Sequence, residues 1–584
     1  MDNQQHAKKR RRKKKKENSV AKRIIPVLIA IVLIIVVVAT TFGKEIIDKY
    51  SYSSEEYDMT VYFENKSDSD VAIILQDKFM EDRAYYLDGT YYVDYDFALT
   101  HFNDRFYYDS VDRYLIYTLP TDMIINPIGT NEIRTTNGTS NMEYDVTKET
   151  DGKLLVALDY LKKYSNFSYE AFEEPRRLQI YTEWNERSVA TVKKKSAVRH
   201  KGGIKEEILE EVDQGDKLYV LEQMEEWSKV KTNDAVIGYI ENKHLMDIAP
   251  ELPIPVTDYT EPEYTNLVRD HKINMGWHAV AGVVGNDTLE TYVNNTEGLN
   301  VVSPTWFNLC DSEGNYESFA TQTYVDKAHA MGLEVWPTFN NTEHYNDVNV
   351  KDIIDSTTER QALIQKLMND ILSMGIDGIN IDIEMLPTEA GRDFSEFIRE
   401  LSIECRKNNV VLSIDNYVPI GNTGYYDRKT QGEVADYVVI MGYDEHYAGS
   451  QEAGSVASIG YVETGITNTL EEVPAYKVIN AIPFYARIWE INGADVSSQA
   501  VGMETANEWI AAHNVNMQWD EETCQNYGEY TSGDTTYKLW AEDAESIKVK
   551  LNVMAVNNLA GVAEWRLGYE TKDIWDVILE YLNN

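Results

Sequence analysis

Asp377-Gly-Ile-Asn-Ile-Asp-Ile-Glu384 is the stretch on which the reading of this 584-residue chain turns. Taken as a β-strand it alternates with period two: Ile379, Ile381 and Ile383 face one way, Asn380, Asp382 and Glu384 the other. Three stiff, β-branched side chains need cover. A surface strand with solvated acids does not supply it. A parallel barrel does, because helices pack on its outer face while its inner face opens on a site at the strands' C-terminal ends. Asp382 and Glu384 lie two residues apart on that inner face, so their Cα atoms are roughly 6–7 Å apart. Carboxylates that close push each other's pKa values apart, so one can hold a proton as general acid while the other stays ionised.

Working outward, eight strand-like runs follow His271: Ile273–Val280, Leu299–Phe307, Leu333–Phe339, Gly378–Glu384, Val410–Asp415, Asp436–Gly442, Lys477–Phe484 and Gly561–Arg566. Helix-like segments separate them. One opens on Ser356-x-x-Glu359, a capping-box pattern, carries Leu363, Leu367 and Ile371 as a stripe, and stops at Gly375. Another carries Phe394, Phe397, Ile398 and Leu401. The fold class expected for residues 271–584 is therefore α/β, a (β/α)8 barrel. Trp519–Trp540 suggests a hairpin insertion before the last strand.

Charge is unevenly spread. The net charge is −42, yet residues 1–23 hold eleven Lys or Arg against Asp2 and Glu17. The remainder is strongly acidic, which excludes nucleic acid as a partner of the main body. The basic run precedes Ile24–Phe42, 19 residues without a charge. That length spans a bilayer as a helix, and the positive-inside rule puts residues 1–23 in the cytoplasm. A cleaved signal peptide would have a shorter apolar region ending in small residues; Ala39-Thr-Thr41 matches poorly. A single-pass anchor in the plasma membrane, with everything from Gly43 outside the cell, is expected. Three cysteines, Cys310, Cys405 and Cys524, make neither a disulfide framework nor a cysteine-built zinc site. No cofactor or metal is expected.

Residues 43–182 read as a repeated α+β module. DGTYYVDYDFALTHF from Asp88 and DGKLLVALDYLKKYS from Asp151 start 63 residues apart and run on to LIYT at Leu115 and LQIYT at Leu178. The pattern resembles the N-terminal domain of copper amine oxidases, without a cluster that suggests copper, and is expected to serve as a spacer or wall-contact module. Residues 183–248 resemble a bacterial Src-homology-3-like domain, a small β-barrel, on Trp227-Ser-Lys-Val230 and Ile237-Gly-Tyr-Ile240. A proline-bearing linker, 249–270, follows.

Within the barrel, Asp377–Glu384 resembles the D-G-x-D-x-D-x-E signature of glycoside hydrolase family 18, on the expected fourth strand. Met441-Gly-Tyr-Asp444 is similar to that family's sixth-strand M-x-Y-D motif, and Trp565 ends the eighth strand, where the family has a tryptophan under the reacting sugar. Ile482–Trp489 and Leu539–Asp543 look like bacterial wall and spore-cortex N-acetylglucosaminidases. The resemblance implies substrate-assisted, retaining cleavage of β-linked N-acetylglucosamine polymers, peptidoglycan first and chitin second. It implies Glu384 as acid and base, Asp382 as partner of the acetamido group and Tyr443 as donor to it. Asn380, Asp377, Met441, Asp444, Arg487 and Trp565 would contact substrate. Two departures stand out. Asn380 replaces the signature's middle Asp, which should alter pH behaviour. Trp336-Pro-Thr-Phe-Asn340 lacks the S-x-G-G pattern common in the family's chitinases, which favours the wall-hydrolase branch. A non-catalytic wall-binding protein on the same scaffold is the remaining alternative; the intact acid pair argues against it. Trp306, Trp336 and Trp489 could pack or touch substrate. His278 and His446 end strands without metal-ligand spacing.

Overall fold

The computed structural model of the protein describes residues 21–257, 259–344 and 347–584, and leaves the side chains of 21–23 and 46 aside. The basic run before Ala21 lies outside the described residues. Ala21–Thr41 is one α-helix. Its Ile24–Thr41 stretch is long and apolar enough to cross a membrane, by length and composition.

The chain divides into two compact units. The first takes the described residues of Met1–Val93 and Asn166–Asp258. Asp70–Leu75 pairs antiparallel with Lys78–Leu87 and parallel with Arg176–Tyr181. Arg187–Glu251 forms a seven-stranded antiparallel sheet around Ala190, Val192, Val198, Leu218, Val230 and Ile240. Gly238 is required there: a Cβ would stand 2.6 Å from the Arg199 carbonyl oxygen across the pair.

The second unit joins Asp94–Ser165 to Tyr259–Asn584. Its barrel strands are β1 (Ile273–His278), β2 (Val301–Pro304, continued as Phe307–Leu309), β3 (Glu334–Val335, continued as Thr338–Asn340), β4 (Gly378–Asp382), β5 (Val411–Tyr417), β6 (Tyr437–Met441), β7 (Val478–Pro483) and β8 (Gly561–Trp565). Each pairs in parallel with the next, and β8 pairs with β1, closing the cylinder. Ile379, Ile381 and Ile383 are buried on the outer face. Trp336 fills the floor and stacks on Tyr437 at 5.5 Å. It explains Gly378, whose Cβ would stand 2.6 Å from the indole. The insertion before β8 is larger than a hairpin: five antiparallel strands from Tyr485 to Ala541, with the helix Met503–His513 among them.

Helix α1 (Thr357–Met374) buries Leu363, Leu367 and Ile371 and ends on Gly375 at φ 67°. Only half of the expected capping box forms. Ser356 Oγ accepts from Glu359 N and donates to Asp112, but the return bond from Ser356 N–H to the Glu359 side chain is not made. Asp112 also accepts from Thr358 N at 2.8 Å, and Asp109 accepts from both the amide and the hydroxyl of Thr357. The free N–H groups of a helix start are thus capped by residues some 250 positions earlier. These aspartates come from a five-stranded meander that opens with Phe106–Asp109 and Tyr114–Thr118. Tyr107 OH donates to Asp393 at 2.7 Å, and Arg392 to the Phe106 carbonyl at 2.8 Å. Both partners start helix α2 (Gly391–Lys407), which follows β4. Asp94–Ser165 therefore braces the two helices that flank the catalytic-type strand.

Candidate active site

The C-terminal ends of β1, β4, β5, β6 and β8 meet around a cavity of about 150 Å³, lined by Trp277, Asp382, Glu384, Asp415, Tyr417, Met441, Tyr443, Asp444 and Trp565. This is the end of a parallel barrel where loops leave and side chains converge. Trp277 and Trp565 meet edge to face at 5.8 Å and form an aromatic wall. Four acids and no base line the cavity, among the described residues.

Glu384 sits just past the end of β4 and is held from two sides. The side-chain amide of Asn341, at the end of β3, clasps its backbone: Oδ1 accepts from Glu384 N and Nδ2 donates to Glu384 O, both at 2.9 Å. Tyr417 OH donates to Glu384 Oε2 at 2.8 Å. Met385, the next residue, stands in the left-handed region at φ 53°. Burial raises the Glu384 pKa above the ordinary carboxylate value; the Tyr417 hydrogen bond opposes this and Asp444 adds to it. Asp382 is held well above the ordinary range, first by burial, then by Glu384 and Asp415. Its Oδ1 is buried without a hydrogen-bond partner. Tyr443 is pushed up by burial and then by Asp415 and Asp382, so its hydroxyl stays a donor.

The structure brings together six of the nine expected site residues as direct lining beside Asp415, Tyr417 and Trp277: Glu384, Asp382, Tyr443, Met441, Asp444 and Trp565. Asn380 lies just beneath, fully buried; it accepts from Trp277 Nε1 at 3.1 Å and donates to Ser413 Oγ at 3.0 Å and Asp415 Oδ1 at 2.8 Å. Asp444 accepts from Tyr485 OH. Arg487 stands outside the lining, on the insertion, and donates to Ser498 Oγ at 2.9 Å. The expectation that Asp377 contacts substrate is corrected. It precedes β4, at the opposite end of the barrel, roughly 20 Å of strand from Glu384. There it accepts from Val335 N at 2.9 Å and pairs with His329 at 2.8 Å, tying β3 to β4.

Trp306, Trp336 and Trp489 are fully buried packing residues. His278 is buried between Tyr324 OH and Thr288 Oγ1, each at 2.8 Å, and burial, then Arg566, lowers its pKa to about 4. No cluster of three or more His, Cys, Asp or Glu among the described residues could hold a metal ion. Asp415, Tyr417, Trp277 and Asn341 were missed from sequence. For two of them a signal exists: Ser413-Ile-Asp415-Asn-Tyr417 alternates as β4 does, with polar groups facing inward.

An eight-stranded parallel barrel with a buried carboxylate pair at its C-terminal mouth and tryptophans beside it defines a glycosidase-type site. The model of glycosyl hydrolases family 18 matches residues 275–570, and the chain belongs to that family. A cortical fragment-lytic enzyme of Bacillus subtilis is 24% identical over 40% of this chain and 56% of the relative. The chain spans about half the length of the curated relatives it matches. Among solved structures, the spore cortex-lytic enzyme SleL of Bacillus cereus is 20% identical with a TM-score of 0.49, over 57% of this chain and 78% of that one. A chitinase from Chromobacterium violaceum is 20% identical with a TM-score of 0.48, over 54% and 99%.

Proposed function

We propose that the protein is a membrane-anchored extracellular glycosidase that cleaves β-linked N-acetylglucosamine polymers, peptidoglycan above all, by substrate-assisted, retaining catalysis. The observation that carries this reading is Glu384, held by Asn341 and Tyr417 with its pKa raised, beside a buried Asp382 in an aromatic-walled cavity. A raised pKa favours the protonated form of Glu384, the form that can donate.

The sugar's acetamido oxygen attacks C1 as the C1–O glycosidic bond breaks, and Glu384 delivers its proton to the leaving oxygen. Asp382 accepts from the acetamido N–H and stabilises the positive charge that develops on the ring so formed. Tyr443 donates to the acetamido oxygen, and Trp565 lies under the sugar face. Water then attacks C1, Glu384 takes its proton, and the acetamido oxygen leaves. Two inversions give net retention. Asp444 and Met441 shape the same cavity, and Asn380 supports Trp277 from below. Arg487, outside the lining, is the weakest of the expected contacts.

Peptidoglycan is preferred over chitin because one relative is named for the lysis of cortical fragments and because the third strand reads unlike the family's chitinases. The anchor reading rests on the apolar run behind eleven basic residues. The module and Src-homology-3-like readings of 43–182 and 183–248 give those segments a spacer or wall-contact role, apart from Asp94–Ser165, which belongs to the unit of the barrel. Digestion of purified peptidoglycan by the full chain, with mass analysis of the products, tests the substrate: reducing-end N-acetylglucosamine fragments are expected, and activity on chitin alone would move the protein to the chitinase reading.

A further inference from the structure

Asn380 leaves β4 with one carboxylate fewer than its motif carries elsewhere in the family, but the cavity does not lack that charge. Asp415, on β5, lies beside the missing position. It is 3% exposed, lines the cavity, and accepts from Asn380 Nδ2 at 2.8 Å. Asn380 in turn fixes Trp277 and Ser413. We infer that Asp415 is a positioning residue of the reaction: it supplies from the neighbouring strand the third carboxylate that β4 lacks, and it sets both the charge on Asp382 and the seat of Trp277. This inference rests on the hydrolase reading above.

The groups facing Asp415 make the sign of its effect definite. From β4 come Asp382 and Glu384; from the end of β6, Tyr443 and Asp444; and from its own strand, Tyr417. All are acids or phenols. Buried carboxylates at such range compete for one another's charge, so each one kept ionised holds protons on the rest. Asp415 is itself held well above the ordinary range by burial, against the Asn380 hydrogen bond. Removing it lets Asp382 ionise at lower pH. An Asn at 380 beside an Asp at 415 is also a pair that can be exchanged. Asp at 380 would accept from Trp277, and Asn at 415 would donate back to it.

The test uses the full chain in detergent and compares wild type, Asp415→Asn, Glu384→Gln and the exchange Asn380→Asp with Asp415→Asn on soluble N-acetylglucosamine oligomers across pH. Asp415→Asn should lower kcat by about 10–100-fold, the range for a misplaced reacting group, with a smaller change in KM. The acid limb of kcat/KM should move to lower pH. The exchange should recover at least about tenfold of the lost kcat and return the limb towards wild type. A wild-type profile in Asp415→Asn overturns the inference while leaving the hydrolase reading intact. Equal losses in Asp415→Asn and the exchange overturn it too, because geometry rather than the third charge would then be at issue. If Asp415→Asn does not fold by near-ultraviolet circular dichroism, the exchange decides alone: folded and active supports the inference, folded and inactive overturns it. Wild type inactive on every N-acetylglucosamine substrate, or Glu384→Gln fully active, strikes the hydrolase reading itself.

Discussion

Asn341→Ala tests how the acid is held. Asn341 is 3% exposed and is not part of the cavity lining; its whole contribution to the site is the clasp on the Glu384 backbone. Two hydrogen bonds contribute about 0.5–1.5 kcal/mol each, so about 1–3 kcal/mol holds the acid in register. The clasp also opposes a local strain, because the following residue, Met385, is a non-glycine in the left-handed region. Without Asn341 the turn can relax and carry Glu384 with it. If that energy is lost wholly from the transition state, kcat falls by about 5–150-fold at 1.36 kcal/mol per factor of ten. KM should change little, since no sugar contact is removed. Steady-state kinetics on soluble N-acetylglucosamine oligomers, with unfolding curves to confirm a folded barrel, give both numbers. A kcat within twofold of wild type would refute the claim that β3 positions the acid. A large rise in KM at constant kcat would place Asn341 among the sugar contacts instead.

Tyr417→Phe removes the hydrogen bond that lowers the Glu384 pKa, so Glu384 should keep its proton to higher pH and the basic limb of the pH–rate profile should move up; an unchanged or lowered limb contradicts this. Asp109→Ala leaves the buried amide and hydroxyl of Thr357 without their acceptor, at about 1–3 kcal/mol for each unsatisfied group. The barrel's urea transition should therefore lose about 2–6 kcal/mol, and a loss below about 0.5 kcal/mol would show that the meander does not brace helix α1. Asp377→Ala should cost stability at the β3–β4 tie but keep kcat within about twofold of wild type, as expected of a change remote from the reacting atoms; a loss of tenfold or more would return it to the site.

The barrel was legible because its strands announce themselves twice, by period-two alternation and by regular spacing with helices. The β4 acids were legible for the same reason. Alternation also shows where motif reasoning overreached. Asp377 shares neither parity nor strand end with Asp382 and Glu384, and only its place in a conserved-looking string put it near substrate. Conversely, Asp415 and Tyr417 obey the alternation of β5, but Asp415 closes the run read as a strand and Tyr417 lies beyond it. Asn341 left no local trace, because its role depends on a neighbouring strand's backbone. The bracing of helix α1 was invisible for a stronger reason. Asp109 and Asp112 reach helix residues some 250 positions away, and nothing in Ser356-x-x-Glu359 reveals that a distant aspartate completes the cap.

The central claim is that Glu384 delivers a proton to a glycosidic oxygen while the sugar's own acetamido group attacks. Proton NMR of the first product released from a β-linked N-acetylglucosamine oligomer, run for wild type and Glu384→Gln, tests it most directly. The account predicts the β-anomer first from wild type, relaxing later to the equilibrium mixture, and a rate lowered by about 10²–10⁴-fold in Glu384→Gln with ligand binding retained. The α-anomer appearing first, or near wild-type turnover in Glu384→Gln, would contradict it.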